Sequence, residues 1–311
     1  MVLLVERLTK LYSKLDNHHH HHHHHQQEAL DASLEGFRSD VSSFLERLSL
    51  NPKPGSEILS LAWFQQCLEL IHSINRAFAK LVVEIDYPVT KWETKSAEEY
   101  FNYSFNLLNL MNSISSCLSH LGQSRLSLSH GLSIVEDSPS TTLKHLKPIK
   151  LKRLIKDSEV KYDKESTEGS SSSGKEGIIQ QGLKEMESIG YWVCGIVLAG
   201  LSGDSDQYLT RKKSREDRQF YANRMDASVS EFMEKGRLLN EVKELNDAAD
   251  RLVSAITTEG ECRNAVEELQ KRLEEFEKLL DGLGKEVDCL FNEVLAGRNQ
   301  MLNGIRRQQR Q

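Results

Sequence analysis

Three features of this sequence predict an all-α fold. Prolines stop at residue 148, apolar residues recur at helical intervals along most of the chain, and the C-terminal third sustains an alternating three–four spacing. The five prolines lie at 52, 54, 88, 139 and 148, which leaves over 160 residues without one. Proline removes a ladder hydrogen bond and clashes with the preceding turn, so a long proline-free run suits long helices. The expected architecture is an elongated multi-helix bundle with a C-terminal antiparallel coiled-coil hairpin. Four parts are expected: an N-terminal amphipathic segment with a disordered His tract at 1–28, a helical region at 29–156, a Ser/Gly-rich flexible linker at 157–180, and a C-terminal helical region at 181–311.

The first segment puts Leu4, Leu8, Leu11 and Leu15 on one stripe. This reads as a helix docked on the protein's own core. The alternative is an interfacial membrane anchor, against which the polar face mixes Arg7, Lys10 and Lys14 with Glu6 and Asp16. His18 to His25 form an unbroken tract between Asn17 and Gln26. Functional zinc sites use spaced ligands held by a fold, so the tract reads as disordered linker.

Residues 29–50 carry Leu30, Leu34, Phe37, Val41, Phe44, Leu45 and Leu48 at helical spacing. Asn51-Pro-Lys-Pro-Gly55 ends that helix and Ser56 opens the next, over 57–85. There Ile58, Leu61, Ala62, Leu68, Ile71, Ile74, Phe78, Leu81 and Val82 form the stripe, and Tyr87-Pro88 stops it. Thr90 to Glu93 and Ser96 to Glu99 have capping-box spacing. The following helix is expected to reach about residue 135 through Leu107, Leu110, Met111, Ile114, Leu118, Leu121 and Leu128. Lys144, Lys147, Lys150, Lys152, Arg153 and Lys156 then form a run without an acid. A solvated flank is one reading of it, and a phosphoinositide or nucleic-acid patch the other. Residues 157–177, with Gly169 to Gly174 at their centre, offer too little apolar surface to offset their ordering entropy.

Ile189 to Leu201 is the most apolar run, and its 13 residues fall short of the roughly 20 a membrane-crossing helix needs. A buried core helix is expected, with Gly190, Gly195 and Gly200 allowing close contacts. Leu238, Val242, Leu245, Ala249, Leu252 and Ile256 then alternate by four and three. The pattern resumes at Val266, Leu269, Leu273, Phe276, Leu280, Leu283, Val287 and Leu290, which marks a coiled-coil seam. Thr258 and Glu261 have the spacing of a helix restart, so a hairpin is expected; an intermolecular coiled coil uses the same stripe.

Composition narrows the function classes. Hydrophobic residues make up 38%, enough for a sizeable core, and the net charge of −6 argues against generic nucleic-acid binding. Five cysteines, at 67, 117, 194, 262 and 289, form no CxxC and suit a reducing cytoplasm. The N-terminal residues lack the apolar core and cleavage site of a secretory signal, and Glu6 and Asp16 count against a transit peptide. The expected location is cytoplasmic, with membrane association as the alternative.

No catalytic, cofactor-binding or metal-binding residue is assigned, and no cofactor is expected. Beyond the tract, the histidines are His72, His120, His130 and His145. Cys117 and His120 share a helix face, but two ligands do not make a zinc site. HExxH, GxSxG, the P-loop and the dinucleotide fingerprint are absent. Acidic residues such as Glu267, Glu268, Glu274, Glu275 and Glu277 read as solvated helix faces.

Several segments resemble the plant-specific BYPASS family. They are Ile85-Asp-Tyr-Pro-Val-Thr-Lys-Trp-Glu93, Leu121-Gly-Gln-Ser-Arg-Leu-Ser-Leu-Ser-His130, the apolar stretch from Tyr191 to Gly203, and the stretch from Lys285 to Arg306. The resemblance implies a non-enzymatic developmental regulator, similar to proteins that restrain a root-derived mobile signal arresting shoot growth. It carries over no catalytic residue. Protein partners and no nucleic acid are the expected contacts. The alternative is a peripheral membrane or exocyst-linked trafficking adaptor.

Overall fold

The computed structural model describes residues 23–50, 60–151, 174–204, 229, 239–258 and 262–308. Their regular structure is entirely helical: α1 (His23–Leu50), α2 (Leu61–Glu84), a 3-10 turn (Val89–Lys91), α3 (Thr94–Ser133), α4 (Pro139–His145), α5 (Lys175–Ser202), α6 (Asn240–Thr257) and α7 (Arg263–Gln308). The all-α bundle expected from the sequence is what the chain forms.

Four helices make a closed ring, α2 on α5, α5 on α3, α3 on α7 and α7 on α2, with α1 outside α2 and α5, α4 on α3, and α6 on α7. Contacts along each interface fix the directions. Gly182 of α5 sits at Phe78 of α2 and Gly200 at Phe64, so these two run antiparallel. Glu176 meets Ser96 and Tyr191 meets Asn106, so α5 and α3 run parallel. Arg298 bonds the Phe101 carbonyl and Arg125 pairs with Glu277, which makes α3 and α7 antiparallel. Parallel neighbours require a long return of the chain. Helix α3 is 40 residues long, about 60 Å, and residues 134–174 carry the chain back to its start. Helices from both expected regions, 29–156 and 181–311, therefore contribute to one continuous core.

Helix α5 is buried on nearly every side. From Ile189 to Leu201 only Gly195 and Gly200 are not fully buried, as the apolar run predicted. No helix among the described residues is long and apolar enough to cross a membrane. Two glycines set how closely α5 is approached: a Cβ at Gly190 would lie 2.6 Å from the Tyr103 hydroxyl, and one at Gly200 would lie 2.2 Å from Phe64 Cζ. The helix ends at Gly203, whose φ of +69° is the left-handed conformation that glycine adopts freely.

Boundaries differ from the sequence reading where tertiary contacts decide them. Helix α5 starts at Lys175, inside the stretch expected as linker to 180, because Ile178, Ile179 and Leu183 already face the core. Helix α2 is capped by Ser60, whose hydroxyl accepts from the Trp63 amide, rather than by Ser56. Ala62, expected on its buried stripe, is exposed. Neither expected capping box forms before α3. Thr90 lies in the 3-10 turn, Glu93 is the N-cap without a side-chain cap bond, and Ser96 is already helical. Glu176 of α5 takes over, accepting from the Glu93 amide at 3.3 Å and from the Ser96 hydroxyl. Glu241 of α6 does the same for α2, accepting from the Leu61 amide at 2.8 Å. Thr258 closes α6 instead of opening α7, its hydroxyl donating to the Ser254 carbonyl.

Helix α7 buries Leu269, Leu273, Phe276, Leu280, Leu283, Val287 and Leu290, the expected stripe. Arg272 pairs with Glu244 and Arg251 with Glu268, so α6 runs antiparallel along the start of α7. Farther on the same stripe turns to α3 and α2. The leucine stripe at 4–15, most of the histidine tract, Ile58, Leu238, Lys152, Arg153, Lys156 and residues 157–173 lie outside the described residues.

Gly200→Ala should destabilise the protein by about 1–3 kcal/mol, since Phe64 is fully buried and has nowhere to move. Gly284→Ala, where a Cβ meets nothing within 4 Å, should stabilise it by about 0.5–1 kcal/mol. Urea unfolding of both variants checks the pair.

Candidate functional site

Polar groups brought into the bundle are the first place to look for chemistry. His72, on α2, is buried and meets two carboxylates of α7. Its Nδ1 lies 2.5 Å from Glu293 Oε2, and its Nε2 lies 3.1 Å from Glu286 Oε1, close but without hydrogen-bond alignment. The two glutamates are seven residues apart on α7, so they face the same neighbour two turns apart. A carboxylate stands at each ring nitrogen. The hydrogen bond at Nδ1 and the charge facing Nε2 make the arrangement a clamp between α2 and α7.

Burial pushes the Glu293 carboxyl up, but the hydrogen bond to His72 and the attraction of His72 and Arg76 outweigh it, leaving the group below its ordinary range. Tyr100 of α3 stands nearby, its phenol pushed up to about 12 by burial, with Glu293 adding to the shift and Arg298 opposing it.

Two of the buried cysteines are held away from the thiolate form. Cys67, Cys117 and Cys194 are buried, and none forms a disulfide. Burial pushes the Cys194 thiol up to about 12, and burial together with Cys194 raises Cys67 well above its usual value. Reactive cysteines need the opposite, a stabilised thiolate. Cys117 faces the core while His120 bonds the Lys150 carbonyl at 2.9 Å, so the structure does not bring that pair together. His130 stacks edge-on against His145, with ring centroids 4.7 Å apart. Among the described residues no group of three His, Cys, Asp or Glu side chains is placed to hold a metal ion.

What stands out is a surface. Phe105 of α3 is 54% exposed and Leu295 of α7 is 37% exposed. The antiparallel register set by the Phe101–Arg298 and Arg125–Glu277 pairs puts these two side chains level with each other. Arg298 reaches from α7 to α3 beside them: its guanidinium sits 5.1 Å from the Phe101 ring and 5.9 Å from the Phe105 ring, and bonds the Phe101 carbonyl and the Ser104 hydroxyl. The result is an apolar ridge braced by a cation over its aromatic faces. Sequence reading missed both the clamp and the ridge, because each joins residues from distant helices.

A family model described as Protein BPS1 matches residues 91–303, from the 3-10 turn through most of α7. The chain belongs to the BPS1 family. This bears out the resemblance seen in the sequence. Among curated relatives, "Protein BPS1, chloroplastic" of Arabidopsis thaliana is 32% identical over 112 residues, 36% of this chain and 32% of that protein. "UPF0496 protein 4" of Oryza sativa subsp. japonica is 28% identical over 171 residues, 50% of this chain and 38% of that protein. The chain thus matches about a third of the length of these relatives. No solved structure matches it. In this BPS1-family chain the matched region contains the ridge, both carboxylates of the clamp and the capping Glu176, but not His72.

The clamp makes stability depend on acid. A glutamate whose folded value lies below its unfolded one contributes stability above the unfolded value, and loses it as pH falls through the folded value. Glu293→Gln should therefore be less stable than the natural chain near neutrality. The gap should close progressively below about pH 4.5, where free glutamates begin to protonate. Urea unfolding of the two proteins across that range measures it.

Proposed function

We propose that this chain is a non-enzymatic regulator of plant development that acts by binding another protein through the Phe105–Leu295 ridge. Membership of the BPS1 family supports a plant developmental role. The finer reading rests on one observation, two large apolar side chains held level and exposed on adjoining helices of the matched region. A hydrophobic ridge rimmed by polar residues is what a protein partner's apolar helix face recognises, and buried aromatic and arginine anchors carry most of the energy of such contacts. The burial of His72 between helices and the raised thiols of Cys67 and Cys194 support a non-catalytic reading.

The cytoplasm is the proposed site of action. The name of the Arabidopsis relative places that protein in the chloroplast. A fluorescent fusion in leaf cells separates the two, and plastid fluorescence would overturn the cytoplasmic reading.

Phe105→Glu with Leu295→Glu adds charge to exposed positions, so the double variant should fold with an unchanged helical spectrum. It should fail to restore shoot growth in plants that lack the native protein, whereas an exposed control change such as Glu274→Gln should restore it fully. Full rescue by the folded double variant would remove the ridge from the mechanism.

A further inference from the structure

The segment that follows α4 has no regular structure, turning at Leu146 where the Lys147 amide donates to the His145 carbonyl, and it is pinned at several points. Leu146 and Ile149 are buried. Asn246 of α6 reads the backbone of Ile149 in both directions: its Oδ1 accepts from the amide at 2.7 Å and its Nδ2 donates to the carbonyl at 3.2 Å. His120 holds the Lys150 carbonyl, and Leu151 packs against Gly203 at the end of α5. With positions 146 and 149 turned inward, Lys144, Lys147 and Lys150 are turned to solvent. Among the described residues none of these three lysines is paired with a carboxylate. In a chain of net charge −6, this is a strap that presents fixed positive charge.

A second observation lies beside it. The strap runs back along α3, with His145 stacked on His130 and Lys150 bonded to His120. Leu126 falls between those two points, one turn from His130 on the same side of α3, and is 58% exposed. A large apolar side chain next to a row of lysines is the composition of a membrane-interfacial surface, where the leucine enters the acyl boundary and the ammonium groups meet phosphates. Leu126 is 21 residues from Phe105 along α3, about 32 Å, so this surface is separate from the ridge.

We propose that Lys144, Lys147, Lys150 and Leu126 form a docking site for the surface of an anionic phospholipid bilayer. A nucleic acid fits less well. Three lysines neutralise few phosphates of a duplex, and the exposed apolar group is a leucine that offers no ring for a base to stack on. The site is independent of the protein-binding ridge, so either reading can stand without the other.

Co-sedimentation of the full chain with phosphatidylcholine vesicles, with and without phosphatidylserine, tests the proposal. The chain should bind the phosphatidylserine vesicles and release as salt rises. Each lysine near an anionic surface strengthens binding by about fivefold, so replacing all three by serine should weaken it on the order of a hundredfold. Leu126→Ser should weaken it several-fold at every salt concentration, since its contribution is not electrostatic. Thermal melting checks that both variants remain folded, as exposed positions allow. Three results would overturn the proposal: no binding by the natural chain, equal binding to vesicles of phosphatidylcholine alone, or tighter binding at the same salt to a DNA duplex than to the anionic vesicles.

Discussion

A helix that is apolar on every side has to be enclosed on every side, and α5 imposes that condition on the whole molecule. Between Ile189 and Leu201 it offers no face that water could solvate at low cost. Each large side chain there stabilises the fold by roughly 1.5–3 kcal/mol when buried, but only if other helices supply the surroundings. Helices α1, α2 and α3 do so. The glycines let them come close, and the rings of Phe64 and Tyr103 occupy the space where side chains would stand. Helix α7 then closes the ring by covering the outer sides of α2 and α3.

Enclosing α5 parallel to α3 has an electrostatic consequence. Two helix starts meet, and each brings unpaired amides and a partial positive charge. Glu176 answers both, lying in the first turn of its own helix while accepting hydrogen bonds at the start of its neighbour's. Glu241 likewise serves the starts of α6 and α2, though these two helices point in opposite directions; burial raises its carboxyl above the ordinary range while the bonded amides pull it down. Wherever two helix starts meet, one carboxylate serves two dipoles.

Helices could be read from the sequence wherever an apolar stripe runs through them. The stripes of α1, α3 and α7 all turned inward as the spacing required, and the depth of α5 followed from its composition alone. Helix starts were less legible. Ser56 and Thr90 have the right chemistry for a cap, but the amides in question found Ser60, Glu176 and Glu241 instead, two of which are reached only through the tertiary fold. His72 is the sharpest case. Nothing near it in sequence marks it out, since both its partners lie more than two hundred residues along the chain. The ridge was equally hidden, because Phe105 and Leu295 each look like ordinary members of a helix until the register between α3 and α7 sets them level. The C-terminal repeat was read as one seam, whereas it serves α6 first and the main bundle afterwards.

The up-down-down-up order also bears on how the protein is made. Helix α2 needs α7, and the contact between His72 and Glu293 spans 221 residues. A ribosome that has just finished α6 has released a chain in which the faces of α2 and α3 destined for α7 are still bare. Non-local closure of this kind is slow and leaves apolar surface open in the meantime. During synthesis the bundle therefore stays three-sided, with apolar faces open to other chains, until α7 emerges.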